Sequence, residues 1–200
     1  IEGSVKAILK IYPTSFSQLL EGLDAIFQQP YGCFEQTSST TYPNVLALDY
    51  LRRTNKSVPQ IEAKARQYIH LGYQRLLGFE IEGGGFDWFG RPPANRTLTA
   101  YGLMEFEDMA RVHDVDPKLI QRTRHWLIAQ RRADGSWSPE THGMHEDPTR
   151  GQAMELSTTA YIAWAAFRDH PNTGDAGVTL DYLLAHQPES IRDPYVLALV

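Results

Sequence analysis

From Pro13 onward, apolar residues recur at helical spacing along nearly the whole chain. Phe16, Leu19, Leu20, Leu23 and Ile26 or Phe27 mark a helix over 15–27. Val45, Leu48 and Leu51 mark a second over 43–53, with Pro43 in its first turn. Ile61, Ala65, Ile69, Gly72, Tyr73 and Leu76 predict a third over 61–77. A fourth, 98–110, is apolar nearly all round and therefore buried. Asp116-Pro117 opens a fifth that carries Ile120, Trp126 and Leu127, and two more cover 156–167 and 179–186. Asp193-Pro194 reads as the N-cap and first turn of a last helix. Only the first residues break the pattern. Val5, Ala7, Leu9 and Ile11 alternate with Lys6 and Lys10, which is the period of a strand with one apolar face.

The helices repeat. Gly84-Gly85-Phe86 precedes Thr99-Ala100-Tyr101, Asp134-Gly135-Ser136-Trp137 precedes Thr159-Ala160-Tyr161, and Asp193-Pro194-Tyr195 starts what reads as a third copy. Each unit is a helix, a Gly-aromatic loop and an inner helix of small and aromatic residues. One helix pair cannot bury its own apolar face, whereas several pairs arranged in a ring can. The expected fold class is all-α, an alpha/alpha toroid of helical hairpins with one N-terminal β-strand. Six hairpins at this repeat length need about 250 to 300 residues, so the ring is expected to be incomplete. Residues 1–12 are expected to hold a strand from a flanking β domain, and residues 13–200 a toroid truncated at its C-terminus.

Composition narrows the classes. The chain has 200 residues, is 42% hydrophobic and 22% charged, and carries a net charge of −5. It can hold a sizeable core, and nothing in its charge suggests a nucleic-acid partner. No apolar run is long enough to span a bilayer. The single cysteine excludes an intramolecular disulfide framework. Sequons stand at Asn55 and Asn95.

That cysteine is the chemical landmark. Cys33 lies in Pro30-Tyr31-Gly32-Cys33-Phe34-Glu35-Gln36-Thr37. Gly32 permits a sharp turn and close approach of another group, so the Cys33 thiol can meet the Gln36 carboxamide. Loss of ammonia would leave an internal thioester. The segment resembles the thioester motif of the alpha-2-macroglobulin and complement family. The bacterial type is the nearer likeness, because its members often carry Tyr-Gly-Cys-x-Glu-Gln-Thr; the departure is Phe34, where animal members usually have a second glycine. The stretch from Asp134 through Trp137 to His142-Gly143-Met144-His145 resembles the family segment with the catalytic histidine, at the interval that selects His145.

The resemblance implies a thioester domain that acts once, as a covalent trap and not an enzyme. Gln36 would be the acyl donor and Cys33 the latent nucleophile. His145 would attack the thioester carbonyl, leaving an acyl-imidazole, and the freed Cys33 thiolate would act as base for an incoming hydroxyl. Glu35 is assigned to capping the following helix, with Gly32, Tyr31 and Phe34 in support. The apolar bulk of Tyr31 and Phe34 either keeps water from the ester or belongs to the core. The implied partners are target proteases or surface nucleophiles, amine or hydroxyl, and flanking β domains of the same polypeptide. The implied location is extracytoplasmic. No cofactor is expected. His142 and His145 form an His-x-x-His pair without further ligands at useful spacing, so no metal is assigned; His142 remains the alternative catalytic histidine.

Three other functions compete. Gln130 to Trp137 resembles the Gln-Trp repeat of triterpene cyclases, which share the toroid, but their Asp-rich acid motif is missing. A cysteine hydrolase using Cys33 and His145 would turn over repeatedly. A helical-repeat binding module would leave Cys33 without a chemical role.

Overall fold

The computed structural model describes residues 8–14, 22, 27–56, 58–140, 151–169 and 176–200. The helix expected over 15–27 therefore falls largely outside the described residues, as do His142 and His145. Ile8–Tyr12 are exposed and in neither helix nor strand. They form the second half of the strand expected at the N-terminus.

Helix α1 spans Phe34–Arg53 and α2 spans Pro59–Leu77. A two-residue hairpin follows, β1 Glu80–Ile81 antiparallel to β2 Gly85–Phe86, with Glu80 opposite Phe86. Then come α3 Arg96–Met109, α4 Pro117–Ala129, α5 Gly151–Phe167, α6 Ala176–Leu184, a 3-10 turn at Pro188–Ser190 and α7 Pro194–Leu199. Asn95 and Asp116 accept from the backbone N–H groups of Leu98 and Lys118, each at the start of its helix.

The packing is that of consecutive hairpins. α1 packs on α2, α3 on α4, and α5 on α6. Across the hairpins, α1 packs on α3, α3 on α5, and α5 on α7. α1, α3, α5 and α7 thus form an inner row and α2, α4 and α6 an outer one, the expected alternation of an alpha/alpha toroid. α3 is shared by two cores. Leu98, Phe106 and Met109 join the cluster of α1 and α2, while Ala100, Leu103 and Met104 join that of α5.

The sequence repeat has a bonding counterpart. The backbone N–H of Phe86 donates to Thr99 Oγ1 at 2.8 Å, and that of Trp137 donates to Thr159 Oγ1 at 3.0 Å. Phe86 and Trp137 are both fully buried. Each Gly-aromatic segment is therefore stapled to the threonine of its own inner helix, and the ring wedges between hairpins. The first segment is a short β-hairpin where a loop was expected.

The largest departure lies in α1, which begins nine residues before the expected Pro43. Pro43 sits inside it, where it removes one helical hydrogen bond. The Ser/Thr run bonds back along the helix: Ser39 Oγ donates to Glu35 O, Thr40 Oγ1 to Gln36 O and Asn44 Nδ2 to Thr40 O. Small side chains also let α1 lie close to α2. A Cβ at Gly72 would stand 2.1 Å from Thr41 Oγ1.

Candidate functional site

Because α1 starts at Phe34, Cys33 is its N-cap. The cap geometry folds the chain onto itself. Gln36 occupies the third helical position, and its Oε1 accepts from the Cys33 N–H at 3.2 Å. This is half of a capping box, and Gln36 fills the role expected of Glu35, whose side chain is exposed. Gly32 has φ +77°. A Cβ there would lie 1.9 Å from Gln36 Oε1 and 2.7 Å from Gln36 Cδ. The carboxamide carbon thus lies over the Gly32–Cys33 backbone in space that only glycine leaves open. Cys33 is half-buried and Gln36 exposed.

The turn is held from three sides by groups the sequence did not single out. Arg75, in the last turn of α2, donates to Gly32 O through Nη2 at 2.5 Å and Nε at 3.2 Å, and to Thr37 Oγ1 at 3.1 Å. Thr37 donates in turn to Tyr31 O. Trp88 O accepts the Phe34 N–H at 2.9 Å, fixing the turn to the loop that enters α3. Nothing in the sequence distinguishes Arg75 from other helical arginines, and a backbone carbonyl leaves no sequence trace. Phe34 itself is fully buried, with its ring 5.3 Å from that of Phe86 and 6.0 Å from that of Phe79. Tyr31 is 56% exposed. Of the two aromatics, one anchors the turn in the core and the other faces solvent.

The loop entering α5 is tied to the same neighbourhood up to Glu140. Glu140 Oε1 accepts from the Arg96 backbone N–H at 2.5 Å and from Arg96 Nε at 3.0 Å, at the first residue of α3. A carboxylate there complements the helix N-terminus. His145 follows in the segment outside the described residues.

Behind α1 lies a buried acid. Glu105 of α3 is fully buried, and neither carboxylate oxygen has a hydrogen-bond partner among the described residues. Burial pushes its carboxyl up to about 8, while Ser38 of α1 pulls weakly the other way without closing a sound hydrogen bond. One turn earlier, Tyr101 is pushed up to about 12 by burial and then by the negative charges of Glu105 and Glu35. No group of three or more His, Cys, Asp or Glu side chains suited to a metal occurs among the described residues. No described helix is long and apolar enough to cross a membrane.

Comparison with known proteins shows the family. Residues 5–200 match the family model of the A-macroglobulin TED domain. Thioester-containing protein 1 allele S1 of Anopheles gambiae is 23% identical over 201 residues, which cover 98% of the chain and 15% of that protein. Alpha-2-macroglobulin-like protein 1 of Mus musculus is 25% identical over 166 residues, 81% of the chain and 11% of that protein. Among solved structures, Salmonella alpha-2-macroglobulin reacted with methylamine superposes with a TM-score of 0.57 at 21% identity, over 87% of the chain and 12% of that structure. The chain spans 15% or less of the length of these relatives.

Proposed function

The chain belongs to the A-macroglobulin TED domain family, which is thioester-bearing, and from that premise we propose that Cys33 and Gln36 form the internal thioester of a single-turnover covalent trap. The observation that carries this reading is the folding of Gln36 over Gly32 onto Cys33, with Oε1 3.2 Å from the Cys33 nitrogen. Closing the bond requires the Cys33 sulfur to attack Gln36 Cδ and ammonia to leave. The helical turn already supplies the proximity for that step.

In this reading, reaction begins when a nucleophile reaches the acyl carbon. His145 takes the acyl group first, and the Cys33 thiolate accepts the proton of an incoming hydroxyl. The domain then stays bonded to a protease or a target surface, in an extracytoplasmic setting and in the company of flanking β domains. Its relatives, a thioester-containing protein and an alpha-2-macroglobulin-like protein, support the trap over the hydrolase or cyclase alternatives.

The test uses the full-length polypeptide. Methylamine is expected to release one titratable thiol and to label residue 36. Thiol already reactive before methylamine, with residue 36 unlabelled, would end the reading. For the relay, His145→Ala is expected to shift coupling from glycerol toward amines. An unchanged ratio would move the role to His142 or remove it.

A further inference from the structure

The seam between α1 and α3 joins the Cys33 turn to the rest of the inner row, and it is one contact repeated three times. Each step is one turn along both helices. Phe34 lies over Gly102, where a Cβ would stand 2.8 Å from Phe34 Cζ. Ser38 meets Glu105. The Tyr42 hydroxyl donates to Asp108. The two end contacts are satisfied, one by packing and one by a hydrogen bond. The middle one is not. Ser38 and Glu105 are fully buried, and neither Ser38 Oγ nor either Glu105 oxygen has a hydrogen-bond partner among the described residues.

The groups on the elements packed against α3 do not balance a carboxylate there. On α1, Tyr42 is committed to Asp108, and Glu35 is exposed and of like charge. Arg124 of α4 pairs with Glu107, and Arg168 beyond α5 with Glu107 and Asp108. Arg122 of α4 pairs with Glu80, while Lys118 and His125 of α4 are exposed. On α5, Glu155 pairs with Arg132, and Tyr161, like Tyr101 on α3, is an acid whose ionisation burial opposes. β2 is Gly85 and Phe86, neither titratable. A buried Glu105 therefore keeps its proton, and a carboxylate forms readily only where water reaches it.

We infer that Glu105 is a positioning residue for the Cys33–Gln36 turn, holding the start of α1 closed on α3 for as long as it keeps its proton. Opening that start brings Glu105 to water, and the carboxyl gives its proton to solvent. Rising pH thus favours the open form, by up to about tenfold per pH unit above the ordinary carboxylate range. The effect levels off near pH 8, where Glu105 ionises in the closed form as well. Phe34, next to Cys33, leaves the seam with the open form. For the ester this step rests on the thioester reading. Water then attacks the Gln36 acyl carbon; a carbon–oxygen bond forms, the carbon–sulfur bond breaks, and the proton passes to the Cys33 sulfur.

The test follows amide hydrogen exchange of residues 34–42 in the full-length protein from pH 5 to 9, corrected for the intrinsic effect of pH on exchange. Residues 117–129 of α4 serve as the internal reference. Opening of 34–42 is expected to rise by about tenfold or more from pH 6 to 8 and to level off above, while the reference stays constant. Glu105→Gln keeps the size and has no carboxyl proton to lose, so its opening is expected to be independent of pH. Ser38→Ala removes the hydroxyl that favours the ionised form, so the levelling-off should move to higher pH. Free thiol appearing in buffer alone should outpace hydroxide by the same factor in the wild type and follow hydroxide in Glu105→Gln. Opening that is flat in the wild type, that keeps its pH dependence in Glu105→Gln, or that α4 shares equally would overturn the proposal. The expected exchange pattern in a protein from which methylamine releases no thiol would uphold the role of Glu105 at this turn and overturn the thioester reading instead.

Discussion

The turn at Cys33, before the first inner helix, is built differently from the region where the next two inner helices finish. Cys33 and Gln36 stand in a turn held mostly through backbone atoms: Gly32 O, Phe34 N and Tyr31 O. Late in α3 and just beyond α5, side chains do the holding. Arg168 Nε lies 3.1 Å from Glu107 and its Nη2 2.9 Å from Asp108; Arg124 also pairs with Glu107, and the Tyr42 hydroxyl donates to Asp108. These charges are largely buried, so each depends on its partner. The difference separates two tasks. The charged knot ties α1, α3, α4 and the end of α5 together, while the turn asks of its reactive side chains only the cap that Gln36 places on the Cys33 N–H.

Breaking the knot should therefore cost stability and spare the turn. Arg168→Met would leave Glu107 and Asp108 short of a buried cation, at a cost of about 4 kcal/mol. A clear loss in melting temperature is expected, with the methylamine-released thiol unchanged in protein kept well below its melting point. Thiol yield falling in step with stability at low temperature would merge the two regions.

Glu105 lies between them and gives a pH signature. Its folded value of about 8 stands above the ordinary 4.5. The folded state thus holds a proton that the unfolded state releases, and stability falls as pH rises from about 4.5 to 8. The expected loss between pH 5 and 8 is on the order of 3 kcal/mol, and Glu105→Gln should flatten it. Denaturant midpoints across that range provide the check. A slope that survives in the variant would assign the proton elsewhere.

Gly32→Ala should do the reverse of the Arg168 change. The positive φ costs about 1 to 2 kcal/mol, and the new Cβ displaces the Gln36 side chain. Thiol release is expected to vanish with only a small stability loss. Normal release would show that Gln36 needs no glycine beneath it. Arg75→Met should have the mildest effect, removing the hold on Gly32 O and Thr37 Oγ1. Spontaneous hydrolysis of the ester is expected to rise several-fold, measured as free thiol appearing in buffer alone. An unchanged rate would make Arg75 a packing residue.

Much of this was legible beforehand, for physical reasons. Helical periodicity marked α2 to α5, and the Gly-aromatic and Thr-Ala-Tyr repeats foretold the hairpin order, because each threonine bonds the aromatic segment before it. The approach of Gln36 to the Cys33 backbone was legible from Gly32, which lets the chain turn sharply and another group come close. The start of α1 was not. Pro43 normally marks a helix beginning, and serine and threonine favour caps, so local preference pointed to a loop where packing against Gly72 imposed a helix. The roles of Arg75 and the Trp88 carbonyl and the burial of Glu105 depend on contacts far apart in sequence, which no local pattern encodes.

The most direct measurement is the intact mass of the native full-length protein, combined with peptide mapping of the Gly32–Thr37 region before and after methylamine. A deficit of one ammonia that disappears on methylamine treatment, with the amine on residue 36 and a new thiol at Cys33, is the expected result. A full mass with Gln36 unmodified throughout and Cys33 alkylated from the outset would contradict it.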